Sequence, residues 1–245
     1  MGTVITLDVR DQNPSADALD AAIAWFHDVD ARFSTFRADS EISRLSRGEL
    51  NQARCSPDVR EVLGLCAEVE GRSGGCFDIH RGGGLDPTGL VKGWSAERAA
   101  AMLVAAGARN FFIGAGGDVL TRGWAAPGRP WRVGIRHPED ASRMAAVLEA
   151  SSLAVATSGA YERGAHIVDT RTGRAPTGLL SMTVAGPSLS YADAFATAAF
   201  VMGRAGLEWV EGIDGYAAMA ITADHRMVWT AGMDALLAAR ETLPA

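Results

Sequence analysis

Apolar and polar positions alternate from Thr3 to Val9 (T-V-I-T-L-D-V), the pattern of a half-buried strand whose successive side chains face opposite sides. The period then changes. Leu19, Ile23, Phe26, Val29 and Phe33 recur every three or four residues and predict an amphipathic helix that ends ahead of F-S-T-F. Ser56-Pro57, an N-cap and first-turn pair, opens a second helix carried by Val59, Val62, Leu63, Cys66 and Val69. Ser95 reads as the cap of a third, Ala96 to Ala106, stopped by Gly107. The chain continues mainly as strands: N-F-F-I, D-V-L-T, W-R-V-G-I, A-A-V-L, L-A-V-A-T, A-H-I-V-D and S-M-T-V-A, with turn residues between them. A last helix, Ala192 to Met202, precedes strands at Tyr216 to Thr222 and Arg226 to Thr230. Successive strands on short connections pair antiparallel, so the class expected is α+β, antiparallel sheets packed with helices. No repeat, low-complexity tract or linker interrupts the pattern, and residues 1–245 are expected to form one unit.

Composition narrows the function. Net charge is −6, so no general basic field attracts a phosphodiester backbone, and nucleic-acid binding is not expected. The longest pure apolar run, Ala99 to Ala106, is far below the roughly 20 residues a membrane helix needs, so no transmembrane segment is expected. Cys55, Cys66 and Cys76 form an odd set without a C-x-x-C pair, which suits a reducing compartment and gives no zinc pattern. No signal peptide is visible before the first strand. A cytoplasmic location is the expectation, with export of a longer precursor left open. Glycine stands out: of 28, ten fall between Gly82 and Gly123, where backbone must turn sharply or approach something closely.

Four constellations could carry chemistry. In D-P-T-G-L-V-K-G-W, Asp86 to Trp94, Gly89 and Gly93 permit close backbone approach and Lys92 offers a point charge for a phosphate, next to the helix start at Ser95. It is not a Walker A loop, and taken alone it reads sooner as a tight turn with a solvated lysine. Gly114 to Asp118 is a hairpin turn, or else a backbone surface for a flat or anionic ligand. Asp193 and Thr197 lie four apart on one helical face as hard oxygen donors of the kind Mg²⁺ takes, or else they serve their own helix. His166, in A-H-I-V-D-T-R-T-G, is a possible general base or a structural strand histidine. Nearby T-S-G-A-Y lacks the serine-hydrolase elbow, and His27, His80, His137 and His225 show no metal-ligand spacing.

Taken in order, these motifs resemble the FAD:protein FMN transferases, the ApbE family. The matching stretches are M-G-T at 1–3, F-S-T-F-R-A-D-S-E-I-S-R-L at 33–45, G-C-F-D at 75–78 and D-P-T-G-L-V-K-G-W at 86–94. They continue with A-G-G-D at 115–118, A-T-S-G-A-Y-E-R at 156–163, H-I-V-D-T-R-T-G at 166–173 and A-D-A-F-A-T at 192–197. The resemblance implies a T-fold-like α+β enzyme that uses Mg²⁺ and FAD and transfers the FMN half to a Thr or Ser of an acceptor flavoprotein, releasing AMP. By position it implies FAD contacts at Met1, Phe36, Cys76, Phe77, Asp78, Asp86, Lys92 and Ile167. It implies Mg²⁺ ligands at the Gly89 carbonyl, Asp193 and Thr197, and catalytic roles for Lys92 and His166, with Asp78 a second candidate base. Two enzymatic and binding alternatives share these residues: hydrolysis of FAD to FMN and AMP, and a non-catalytic FAD-binding protein.

The chain also departs from the family pattern. Only Ile79 to Leu85 fills a space that is usually long, and only Gly164 and Ala165 join Y-E-R to H-I-V-D. Phe36 stands where tyrosine is common, Gly114 for asparagine, Ala160 for an acid, Thr170 for proline, and Ala196 where some relatives are acidic. These changes spare the expected phosphate and metal core and bear on acceptor recognition and flavin coverage.

Overall fold

A computed structural model describes residues 3–81, 84–140, 142–159, 168–169 and 171–238. In chain order the elements are β1 (Ile5–Val9), α1 (Ala16–Phe33), α2 (Glu41–Ser46), α3 (Pro57–Arg72), β2 (His80–Arg81), β3 (Gly84–Leu85) and α4 (Thr88–Ala105). Then follow β4 (Phe111–Ala115), β5 (Asp118–Arg122), β6 (Trp131–Arg136), β7 (Met144–Ala150), β8 (Leu153–Gly159) and β9 (Leu179–Gly186). The chain closes with α5 (Leu189–Met202), α6 (Ala205–Glu211), β10 (Ala217–Thr222), β11 (Met227–Trp229) and α7 (Ala231–Asp234).

The main sheet has the order β1-β4-β5-β8-β9-β10-β11, with every pairing antiparallel. This is the expected α+β arrangement. Strand alternation assigns the two faces. Leu120 of β5, Ala154 and Ala156 of β8, Met182 and Val184 of β9, and Ala218 and Ala220 of β10 enter one core with α1, α3, α4 and α5. Val155, Ala185, Ala217 and Met219, the intervening residues, enter a second core under the β6–β7 hairpin with Val133, Ile135 and Leu148. Both faces are therefore covered, which is why β10 is buried at every position.

Helix α4 begins earlier than the sequence suggested. Its first residue is Thr88, and Ser95 lies a full two turns inside, its hydroxyl donating back to the Lys92 carbonyl at 2.8 Å. The start is set instead by Asp86, whose Oδ1 accepts hydrogen bonds from the Thr88 amide at 3.1 Å and the Thr88 hydroxyl at 2.6 Å. Gly89 and Lys92 accordingly stand on the helix and not in a loop. Buried Trp94 fixes the helix from the other side, packed at a tilt against the rings of Trp25 and Phe33 of α1, with its indole N–H on Glu61 of α3.

Gly93 is where α4 and α5 touch. A Cβ there would run into the Leu189 carbonyl and lie 2.6 Å from the Ser190 nitrogen, so only glycine allows the two helices this approach. One turn further along α4, Glu97 accepts from the Leu189 amide at 2.6 Å, a donor that the first turn of α5 leaves open, and from the Ser190 hydroxyl. Helix α5 thus starts at Leu189, three residues ahead of the expected Ala192. Of the expected A-H-I-V-D strand, Ala165, His166 and Ile167 lie outside the described residues, and Asp169 sits in a turn bridged to Arg174.

Candidate active site

Period-two alternation in β5 and period 3.6 in the helices bring four side chains to one spot between the sheet and the α4–α5 pair. Asp118, the first residue of β5, points to the same face as Leu120 and is 1% exposed. Its direction is set by the preceding turn, in which Gly116 and Gly117 have φ of 58° and 100°. Lys92, one turn into α4, places its ammonium 2.5 Å from Asp118 Oδ2 and 3.4 Å from Asp193 Oδ1 on α5. Thr197, one turn beyond Asp193, shares a hydrogen bond of 3.1 Å with Ser158 of β8. Gly89 completes the group: a Cβ on it would lie 3.6 Å from Thr197 Oγ1 and 3.3 Å from the Phe77 ring.

The three charged side chains are nearly withdrawn from water, at 14% exposure for Lys92, 2% for Asp118 and 6% for Asp193. Formally they sum to one negative charge, which in a poorly hydrated setting attracts a further cation. The oxygen donors here are the Asp193 carboxylate and the Thr197 hydroxyl, with the Gly89 backbone close to Thr197. Hard oxygens of this kind suit Mg²⁺, which completes its octahedron with water and phosphate oxygens. Among the described residues no three His, Cys, Asp or Glu side chains gather as a metal site of their own, so a cation here would be held in that mixed way. Beneath the cluster lies Cys66. Burial pushes its thiol up to about 12, and the nearby charges of Asp193, Glu70 and Asp86 push the same way.

Asp78 is half-buried and accepts the His80 amide at 2.7 Å; Asp86 is half-buried at the head of α4. Cys76 and Phe77 are buried, so Phe77 supports the Gly89 backbone from the core side. Phe36, in contrast, is 89% exposed on the loop after α1. Next to it a cavity of about 330 Å³ is lined by Thr35, Arg47 and Asp86, and beyond the β2–β3 hairpin a second of about 540 Å³ is lined by Leu45, Gln52, Glu70 and His80. Asp169, whose carboxyl the Arg171 guanidinium holds below the usual range, lies close enough to influence the buried Cys76 thiol. Met1, His166 and Ile167 fall outside the described residues.

Sequence reasoning left Asp118 and Ser158 without a role. Both belong to motifs already singled out, A-G-G-D and A-T-S-G, but their partners are 26 and 39 residues away, and nothing local announces them.

Fold and site together define an α+β protein with a buried, cation-attracting centre at the head of a helix. The chain belongs to the ApbE family, whose model matches residues 1–84 and 80–220. Among similar proteins, the FAD:protein FMN transferase of Vibrio cholerae is 33% identical over 130 residues, covering 49% of this chain and 39% of that protein. That of Rhodobacter capsulatus is 38% identical over 128 residues, covering 49% and 24%. That of Escherichia coli K12 is 30% identical over 148 residues, covering 56% and 42%, so the matched stretches span less than half of each relative's length. In fold, the flavin transferase ApbE from Vibrio cholerae superposes with a TM-score of 0.84 at 22% identity, covering 97% of this chain and 96% of that one. An ApbE protein from Thermotoga maritima gives 0.82 at 21% identity, with 95% of each chain covered.

Proposed function

We propose that this protein is a FAD:protein FMN transferase that takes FAD as substrate, uses Mg²⁺, and esterifies a Thr or Ser hydroxyl of an acceptor flavoprotein with FMN, releasing AMP. The observation that carries this reading is the buried Lys92 ammonium set between Asp118 and Asp193, beside Gly89 and Thr197. The names of the similar proteins support the flavin and the transfer.

In the proposed reaction the acceptor oxygen forms a bond to the FMN-side phosphorus, the phosphoanhydride P–O bond breaks, and its electron pair leaves with AMP. Negative charge grows on the phosphate oxygens, and Lys92 is the chain's own cation at that place. Gly89, Asp193 and Thr197 would hold Mg²⁺, which supplies further neutralisation of those oxygens when bound. The acceptor hydroxyl must lose its proton. His166 is the proposed base, and Asp78 the second candidate. Phe36, exposed beside the cavity at Thr35 and Asp86, offers a ring for the flavin nucleotide to cover.

Incubation with FAD and Mg²⁺, with and without an acceptor flavoprotein, tests the reading through AMP release and covalent flavin fluorescence. Acceptor-dependent AMP with labelled acceptor is the expected result. AMP without acceptor would make the protein a FAD hydrolase, and bound flavin without AMP a carrier. Asp193→Ala should abolish the Mg²⁺-dependent turnover without unfolding the chain, and His166→Ala should abolish transfer while FAD still binds.

A further inference from the structure

Lys92 does not divide itself evenly between its two carboxylates. Its ammonium is 2.5 Å from Asp118 and 3.4 Å from Asp193. Asp118 in turn cannot follow the lysine elsewhere, because it is tied on its other side. It lies just past the Val119–Val155 pair that ends the β5–β8 ladder, and its Oδ1 accepts the Thr157 amide at 3.2 Å, prolonging the ladder by a side chain. With 1% exposure it has no water to turn to. One carboxylate thus fixes a position in α4 to a position in β8.

Asp193 is the carboxylate that the proposed function gives to a divalent cation, and the tethered ammonium competes with that cation for it. We propose that Asp118 is a positioning residue whose charge draws the Lys92 ammonium to itself, weakening its hold on Asp193 at 3.4 Å and so leaving Asp193 for the metal. The inference rests on the metal site of the proposed function. Without the Asp118 charge, the nearest counter-charge to Lys92 is Asp193, and an incoming cation must displace the ammonium from it.

Asp118→Asn removes the charge and keeps an oxygen for the Thr157 amide. Calorimetric titration of the full chain with Mg²⁺ alone, without FAD, then reads the effect independently of turnover. Asp118→Asn is expected to weaken Mg²⁺ binding about tenfold, equivalent to about 1.4 kcal/mol. Adding Lys92→Met to it removes the competitor and is expected to restore the affinity to within about threefold of wild type. Asp118→Glu, which keeps the charge, is expected to stay within about threefold as well. A loss below threefold in Asp118→Asn, no recovery in the double variant, or a loss in Asp118→Glu as large as in Asp118→Asn overturns the proposal. Wild-type protein that takes up no Mg²⁺ overturns the metal site itself, an outcome distinct from wild-type binding that Asp118→Asn leaves unchanged.

Discussion

Gly93→Ala tests whether the α4–α5 contact positions the candidate site. The added methyl would lie 2.6 Å from the Ser190 nitrogen and against the Leu189 carbonyl, where ordinary contact begins at 3.4 Å. The obstacle is backbone at the start of a helix, so no rotamer change relieves it, and the helices must separate by roughly 1 Å. Overpacking against backbone falls in the upper part of the usual range, about 2–3 kcal/mol, and exceeds the roughly 1 kcal/mol gained by replacing a helical glycine with alanine. A net loss of about 1–2 kcal/mol is expected in urea unfolding followed by far-UV circular dichroism. Gly64→Ala in α3 is the control, because a Cβ there meets nothing within 4 Å and only the helix-propensity gain remains. The two variants must move in opposite directions. Separation would also carry Asp193, one turn beyond the contact, away from Lys92, so the proposed transfer should fall in Gly93→Ala even at temperatures where it is fully folded. If Gly93→Ala is as stable as wild type, or stabilised like Gly64→Ala, the close approach of α4 and α5 is wrong as described.

Three further outcomes follow from charge and burial. Lys92→Met leaves Asp118 and Asp193 buried without their shared cation and should cost about 3–5 kcal/mol in the same unfolding assay, with Lys92→Met plus Asp118→Asn less destabilised than Lys92→Met alone. The Arg171 hydrogen bonds lower the Asp169 carboxyl, so the stability it contributes is present above the ordinary carboxylate pKa and lost as pH falls through the lowered one; the urea midpoints of wild type and Asp169→Asn should differ at pH 7 and converge in strong acid. All three thiols are buried, with Cys66 pushed up to about 12, so a thiol reagent at pH 8 should label the native protein slowly and all three cysteines promptly in denaturant.

Much of this arrangement is legible in the sequence where the signal is local. Alternation locates β4, β5 and β8, the 3–4 spacing locates α1, and Ser56-Pro57 opens α3 where expected. The hairpin reading of Gly114 to Asp118 holds, with both central glycines at positive φ. Helix α4 is misjudged at its start because Ser95 has the chemistry of a cap, while the working cap, Asp86, sits two residues before the helix and is separated from it by Pro87. Gly89 and Gly93 look like loop residues for the same reason that they serve the helix: each lacks a side chain where another element comes close. Helix α5 is buried on nearly every side, so no polar face marks where it begins. The pairing of Lys92 with Asp118 is a property of the folded chain, created by strand order and helix placement, and no spacing rule contains it.

The alternation of β8 reaches further than its two cores. Ser158 faces α5 and meets Thr197, whereas Thr157 faces the opposite side and meets Thr183 of β9 at 2.9 Å. A slip of one residue in this strand would exchange those partners and drive both cores out of register together. A slip in β8 therefore cannot displace Ser158 from Thr197 and leave the sheet intact. A one-residue insertion in β8 should accordingly yield unfolded chain in place of a folded protein with a displaced site.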